Sequence, residues 1–88
     1  MTREMHLICE NAQEITLQAF PIIYGKNNPY DLDRHEIMPM FREWAEEFEK
    51  WWSGHDEKWE SAHDYPTEIA DFTDKKVGAY LRELNFNN

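Results

Sequence analysis

Glu60-Ser61-Ala62-His63 has the Glu-x-x-His spacing that places two metal ligands on one face of a helix. A di-metal site needs a second such pair and further Glu ligands on facing helices, and the sequence holds one copy. His55 and His63 are eight residues apart, more than two helical turns, so they form no i,i+4 ligand pair. His6 and His35 read as surface or edge residues. Nucleophilic catalysis requires a Ser, Thr or Cys activated by a neighbouring base. Ser53 and Ser61 have no such signature around them, and Cys9 lies in the apolar run Leu7-Ile8-Cys9, which reads as a structural thiol. With three glycines the chain has no phosphate-cradling loop and little loop from which to build a cleft. The sequence therefore predicts no catalytic residue, no metal and no cofactor, and a protein that is not an enzyme.

What the chain has in abundance is carboxylate. Eighteen acidic residues face nine basic ones, a formal charge of -9. Residues 31–64 hold eleven of the acids against four bases, and all four tryptophans fall between positions 44 and 59. The acids there are Asp31, Asp33, Glu36, Glu43, Glu46, Glu47, Glu49, Asp56, Glu57, Glu60 and Asp64. Only Arg42, Lys50 and Lys58 stand between positions 42 and 64 to form i,i+4 pairs with them. Like charge at this density opposes a small fold, so a use in binding is expected. Carboxylates one turn apart on a helix repeat about every 5.4 Å, comparable to phosphates along a strand. The expected contact set is Asp33, Glu36, Glu43, Glu46, Glu47, Trp51, Asp56, Glu57 and Glu60, with Trp51 or Trp44 as a partly exposed aromatic anchor in an acidic rim. The expected partner is a basic protein or nucleoprotein complex. No direct nucleic-acid contact and no membrane contact are expected of so acidic a chain.

These side chains need elements to position them. Residues 4–24 read as strands. Glu14-Ile15-Thr16-Leu17-Gln18-Ala19 alternates polar and apolar, Met5–Cys9 makes a second short strand, and Glu10–Gln13 is the turn between them. A helix with Asn11 as N-cap and Glu14 at the capping-box position is the competing assignment. Ile15 and Leu17 would then project from well-separated faces, so the hairpin is favoured, with Pro21 at the end or edge of its second strand. Residues 25–35 form a loop, and Asp31 and Asp33 are candidate caps. Residues 36–63 read as helix, with Pro39 in its first turn and Phe41, Trp44, Ala45, Phe48, Trp52 and Trp59 on one face. Gly54 either bends this helix or divides it. A short helical turn from Thr67 or Pro66 through Phe72 precedes a last helix, capped by Thr73 or Asp74, that runs to about Leu84.

The expected fold class is thus α+β: an N-terminal β-hairpin or small antiparallel sheet packed on a long or broken amphipathic helix and a C-terminal helix. Its core would be Ile15, Leu17, Phe20, Ile22, Phe41, Phe48, Trp52, Trp59, Ile69, Val77, Leu81 and Leu84. At 88 residues the chain is one domain with a small core, to which an aromatic content of 15% contributes large buried areas. A single cysteine fits a reducing compartment. No apolar run approaches the ~20 residues of a membrane span, and nothing behind Met1-Thr2-Arg3-Glu4-Met5 resembles a signal peptide. A cytoplasmic location is expected.

Two resemblances add to this reading. Residues 66–86 resemble a helix-turn-helix segment: Thr67-Glu68-Ile69-Ala70 is similar to its first helix, and Val77-Gly78-Ala79-Tyr80-Leu81-Arg82-Glu83-Leu84 to its recognition helix. That resemblance implies a DNA-binding or replication accessory module acting through Lys75, Lys76 and Arg82. In size and charge the whole chain is similar to small acidic phage inhibitors of the anti-CRISPR and anti-restriction type. This likeness implies a non-enzymatic protein that blocks a basic surface of nucleic-acid-handling machinery in the host cell. A homodimer formed through an exposed Trp51 is a third expectation.

Overall fold

The computed structural model describes residues 2–52 and 66–87, and among these every regular element is a helix. Three follow in order: α1 (Arg3–Ile23), α2 (Arg34–Trp52) and α3 (Pro66–Asn87). The α+β expectation is overturned, because the residues assigned to a hairpin form the single helix α1. Leu7, Asn11, Ile15, Ala19 and Ile23 recur every four residues and are all buried. That stripe runs the length of the helix, whereas the period-2 pattern spans only Glu14–Ala19. Ile15 and Leu17 do lie on separated faces, one fully buried and the other 72% exposed.

The start of α1 is fixed by Thr2 rather than Asn11. The Thr2 hydroxyl accepts a hydrogen bond from the Met5 N–H at 3.1 Å, one of the donors that a helix start leaves without an intrahelical partner. Pro21 sits in the last turn, where it has no N–H to offer the Leu17 carbonyl. The helix ends two residues later as the Tyr24 N–H bonds the Phe20 carbonyl at 2.9 Å. Gly25 then takes φ +69°, and a Cβ there would also stand 3.2 Å from Pro29 Cδ, so the reversal depends on glycine. Asn28 completes the turn with both ends of its amide. Its Oδ1 accepts from the Leu32 N–H at 2.8 Å, and its Nδ2 donates to the Leu32 carbonyl at 2.9 Å.

Asp33 caps α2: its Oδ1 accepts from the His35 N–H at 2.8 Å, placing a carboxylate at the positive end of the helix dipole. Asp31 lies in the preceding turn with φ 53°. Because α2 begins at Arg34, Pro39 falls in the second turn rather than the first. Phe41, Trp44, Ala45, Phe48 and Trp52 form the buried stripe that the spacing predicts, and Ile37 extends it toward the start of the helix. The helix assignment for residues 53–63, the break at Gly54 and the placement of Trp59 lie outside the described residues.

Residues 66–87 make one helix opened by Pro66, not a short turn followed by a capped helix. Thr73 is buried and donates its hydroxyl to the Ile69 carbonyl at 2.7 Å, so it serves the interior of the helix rather than its start. The segment that resembles a helix-turn-helix therefore contains no turn between Ala70 and Val77.

The three helices meet around Phe48. Its ring stacks on Trp52 at 6.1 Å and meets Phe72 of α3 edge-on at 5.2 Å. Trp44 makes a comparable edge contact with Tyr80 at 6.5 Å. From α1, Ile15, Ala19 and Ile23 enter the same core, and from α3, Ile69 and Val77. Of the expected core, Phe20 and Leu81 pack against this cluster while partly exposed. Leu17 and Ile22, expected in the core, are excluded from it: both lie on the outer side of α1 and are exposed.

Candidate functional site

α2 is amphipathic, so the face opposite its aromatic stripe faces outward. Glu43, Glu46, Glu47 and Lys50 lie there, all exposed. Glu46 and Glu47 follow Glu43 by three and four residues, so each neighbours Glu43 along this side of the helix. α1 runs back against α2, bringing its first turn to this place. Glu4 and Ile8 join Glu43, Glu46, Glu47 and Lys50 around one groove. Glu4 is a member that the sequence reading missed. Its signal is an acidic residue two positions after a Thr N-cap, visible only once α1 is read as a helix.

Two of these carboxylates have cationic neighbours. Arg42 Nε lies 3.3 Å from Glu46 Oε1 on the same helix, and Lys76 Nζ of α3 lies 2.6 Å from Glu47 Oε2. The first pair is solvent-exposed and the second partly so, so each relieves repulsion without adding much stability. Arg42 is one of the three bases that residues 42–64 supply, and Lys76 is a cation that α3 adds to them.

A second groove lies between α2 and α3. It is lined by Trp51 and Phe72, by Glu47, Glu68 and Asp71, and by Lys75. Trp51 is 49% exposed, while Trp44 is buried against Tyr80, which separates the two candidates for an exposed anchor. Glu68 and Asp71 come from the first two turns of α3 and were not among the expected contacts. Glu47 lines both grooves and joins them.

The remaining expected contacts do not converge here. Asp33 caps α2 and Glu36 lies in its first turn, about 15 Å along the axis from Glu46. Glu36 instead lies on the Tyr80 side. It and Glu83 add to burial, the larger cause, in raising the Tyr80 phenol above its ordinary value. Asp56, Glu57 and Glu60 lie outside the described residues, as do His55, His63, Ser53 and Ser61.

Glu49 is a correction to the acidic face. It is only 2% exposed, on the buried side of α2 one turn from Ala45, and belongs to the helix interface. Among the described residues neither of its carboxylate oxygens has a hydrogen-bond partner. Burial raises its pKa, and the charge of Glu4 raises it further. A carboxyl in this setting favours the neutral acid.

Among the described residues no three His, Cys, Asp or Glu side chains are grouped so as to hold a metal ion. His6 is paired with Glu10, Nε2 to Oε1 at 3.0 Å. Cys9 is half-buried, with Arg42 Nη1 3.8 Å from its sulfur. Among the described residues no helix is long and apolar enough to cross a membrane. No family model, curated protein or solved structure matches the chain.

Proposed function

We propose that this chain is a non-enzymatic binding protein that lays its acidic α2 face on a basic surface of a larger, nucleic-acid-handling partner and blocks it. The observation that carries this reading is the meeting of Glu4 of α1 with Glu43, Glu46 and Glu47 of α2 around one groove, on a chain of net charge -9. Glutamates on successive turns of a rigid helix present charge at ~5.4 Å intervals, which suits a surface built to hold phosphates. The same field speeds encounter with a basic partner and repels nucleic acid itself. The physiological class that fits is an inhibitor carried by a phage or mobile element and acting in the host cytoplasm, by likeness of size and charge to anti-CRISPR and anti-restriction proteins.

Capture from a bacterial lysate tests this. The immobilised protein is expected to retain a basic nucleic-acid-binding protein or complex at low ionic strength and release it as salt screens the contact. A Glu4→Lys, Glu43→Lys double variant is expected to retain far less. Equal retention by the variant and the wild type, at any salt, contradicts the proposal.

A further inference from the structure

The α2–α3 groove differs from the α1–α2 groove in having an aromatic floor. Trp51 offers it a half-exposed indole, and Phe72 stands beside it. Three carboxylates line the groove, Glu47, Glu68 and Asp71, against the single ammonium of Lys75. Glu68 and Asp71 are exposed, and no ion pair engages either among the described residues. The same seam already holds a cation in a related arrangement: Lys76 Nζ lies 2.6 Å from Glu47 Oε2 and 5.5 Å from the centroid of the Phe72 ring. Aromatic ring plus carboxylate is thus a combination that these two helices use to bind positive charge.

We propose that the groove between α2 and α3 takes the guanidinium of an arginine side chain from the partner, stacked on Trp51 and hydrogen-bonded to Glu68 and Asp71. This rests on the reading of the chain as a binder of basic surfaces and names the group that it selects. Arginine fits better than lysine for physical reasons. The guanidinium is planar and weakly hydrated, so it lies flat on an indole at little desolvation cost. Its fixed fork of N–H donors serves carboxylates while the stack is kept. An ammonium is a compact, strongly hydrated charge that gains less from the ring.

The probes are fluorescently labelled oligoarginine and oligolysine peptides of equal length, titrated with the full chain at low salt. The oligoarginine peptide is expected to bind about two- to fivefold more tightly, the range of an exposed cation–π contact. Trp51→Ala is expected to bring it down to the oligolysine level, and Glu43→Lys to weaken both peptides alike. The indole N–H resonance of Trp51, identified by its loss in Trp51→Phe, is expected to shift with the arginine peptide. Equal affinity for the two peptides, unchanged by Trp51→Ala, overturns the arginine site. If Glu43→Lys still weakens both, the acidic face stands without it. Failure of both peptides to bind overturns both proposals.

Discussion

Glu47 of α2 and Lys76 of α3 form the one contact in which the acidic face touches a cation from another helix, Oε2 to Nζ at 2.6 Å, among the described residues. The pair sits where the two grooves meet, since Glu47 lines both. It is exposed enough for solvent to screen it, so its weight falls on the charge of the surface rather than on the stability of the fold.

Lys76→Met is therefore expected to cost no more than about 1 kcal/mol in urea unfolding. The same substitution is expected to tighten binding of a basic peptide, because it removes the chain's own competitor for Glu47. Weaker binding in Lys76→Met would show that the lysine supports the surface instead of opposing it.

The helical assignment of residues 3–23 separates two neighbours that a strand would treat alike. Ile15→Ala is expected to destabilise by about 2–5 kcal/mol, the range for truncating a buried aliphatic side chain. Leu17→Ala is expected to change stability by no more than about 0.5 kcal/mol. Comparable losses at both positions, measured by thermal or urea unfolding, would restore the hairpin.

Thr2 holds the first turn of α1 and with it the position of Glu4. Thr2→Ala is expected to cost about 0.5–2 kcal/mol, and Thr2→Ser to recover most of it. Hydrogen exchange at the Met5 amide reads the loss directly. Unchanged protection there in Thr2→Ala would remove the cap from the account.

Glu49 makes stability depend on pH. Its folded-state pKa is raised above the ordinary value of 4.5, by burial first and by Glu4 second. In the interval above 4.5 the folded chain holds a proton that the unfolded chain has released. Its contribution to stability therefore falls as pH rises through that interval. Below 4.5 both states hold the proton and the penalty vanishes; above the raised value it is complete. Glu49→Met, of similar length and without a buried carboxyl, is expected to stabilise the protein at neutral pH by about 1–3 kcal/mol. It should also flatten the pH profile above 4.5. A variant less stable than the wild type at pH 7 would mean that Glu49 has a partner.

α2 was legible in the sequence because its stripe is large and aromatic: Phe41, Trp44, Phe48 and Trp52 outweigh any local propensity. α1 was not, because its stripe includes Asn11 and Ala19, one polar and one small, while the conspicuous Ile15 and Leu17 suggested a strand face. In α3, Thr73 imitates a cap by residue type, and only burial shows that its hydroxyl serves Ile69. The same limits apply to the site. Glu43, Glu46 and Glu47 follow from helical spacing alone. Glu4, Glu68 and Asp71 come from other helices and need the packing to bring them in. Glu49 was hidden among neighbours of the same type, and one position on the helical wheel moves it from the face to the interior.

The most direct test of the acidic face as a blocking surface is nucleic-acid binding by the partner captured from lysate, measured by gel shift with increasing amounts of this protein. Wild type is expected to displace the nucleic acid, less effectively as salt rises, and Glu4→Lys, Glu43→Lys to displace it poorly while keeping its helical circular dichroism. Displacement that is equal for both proteins, or a partner that holds its nucleic acid while bound to the wild type, would contradict the account.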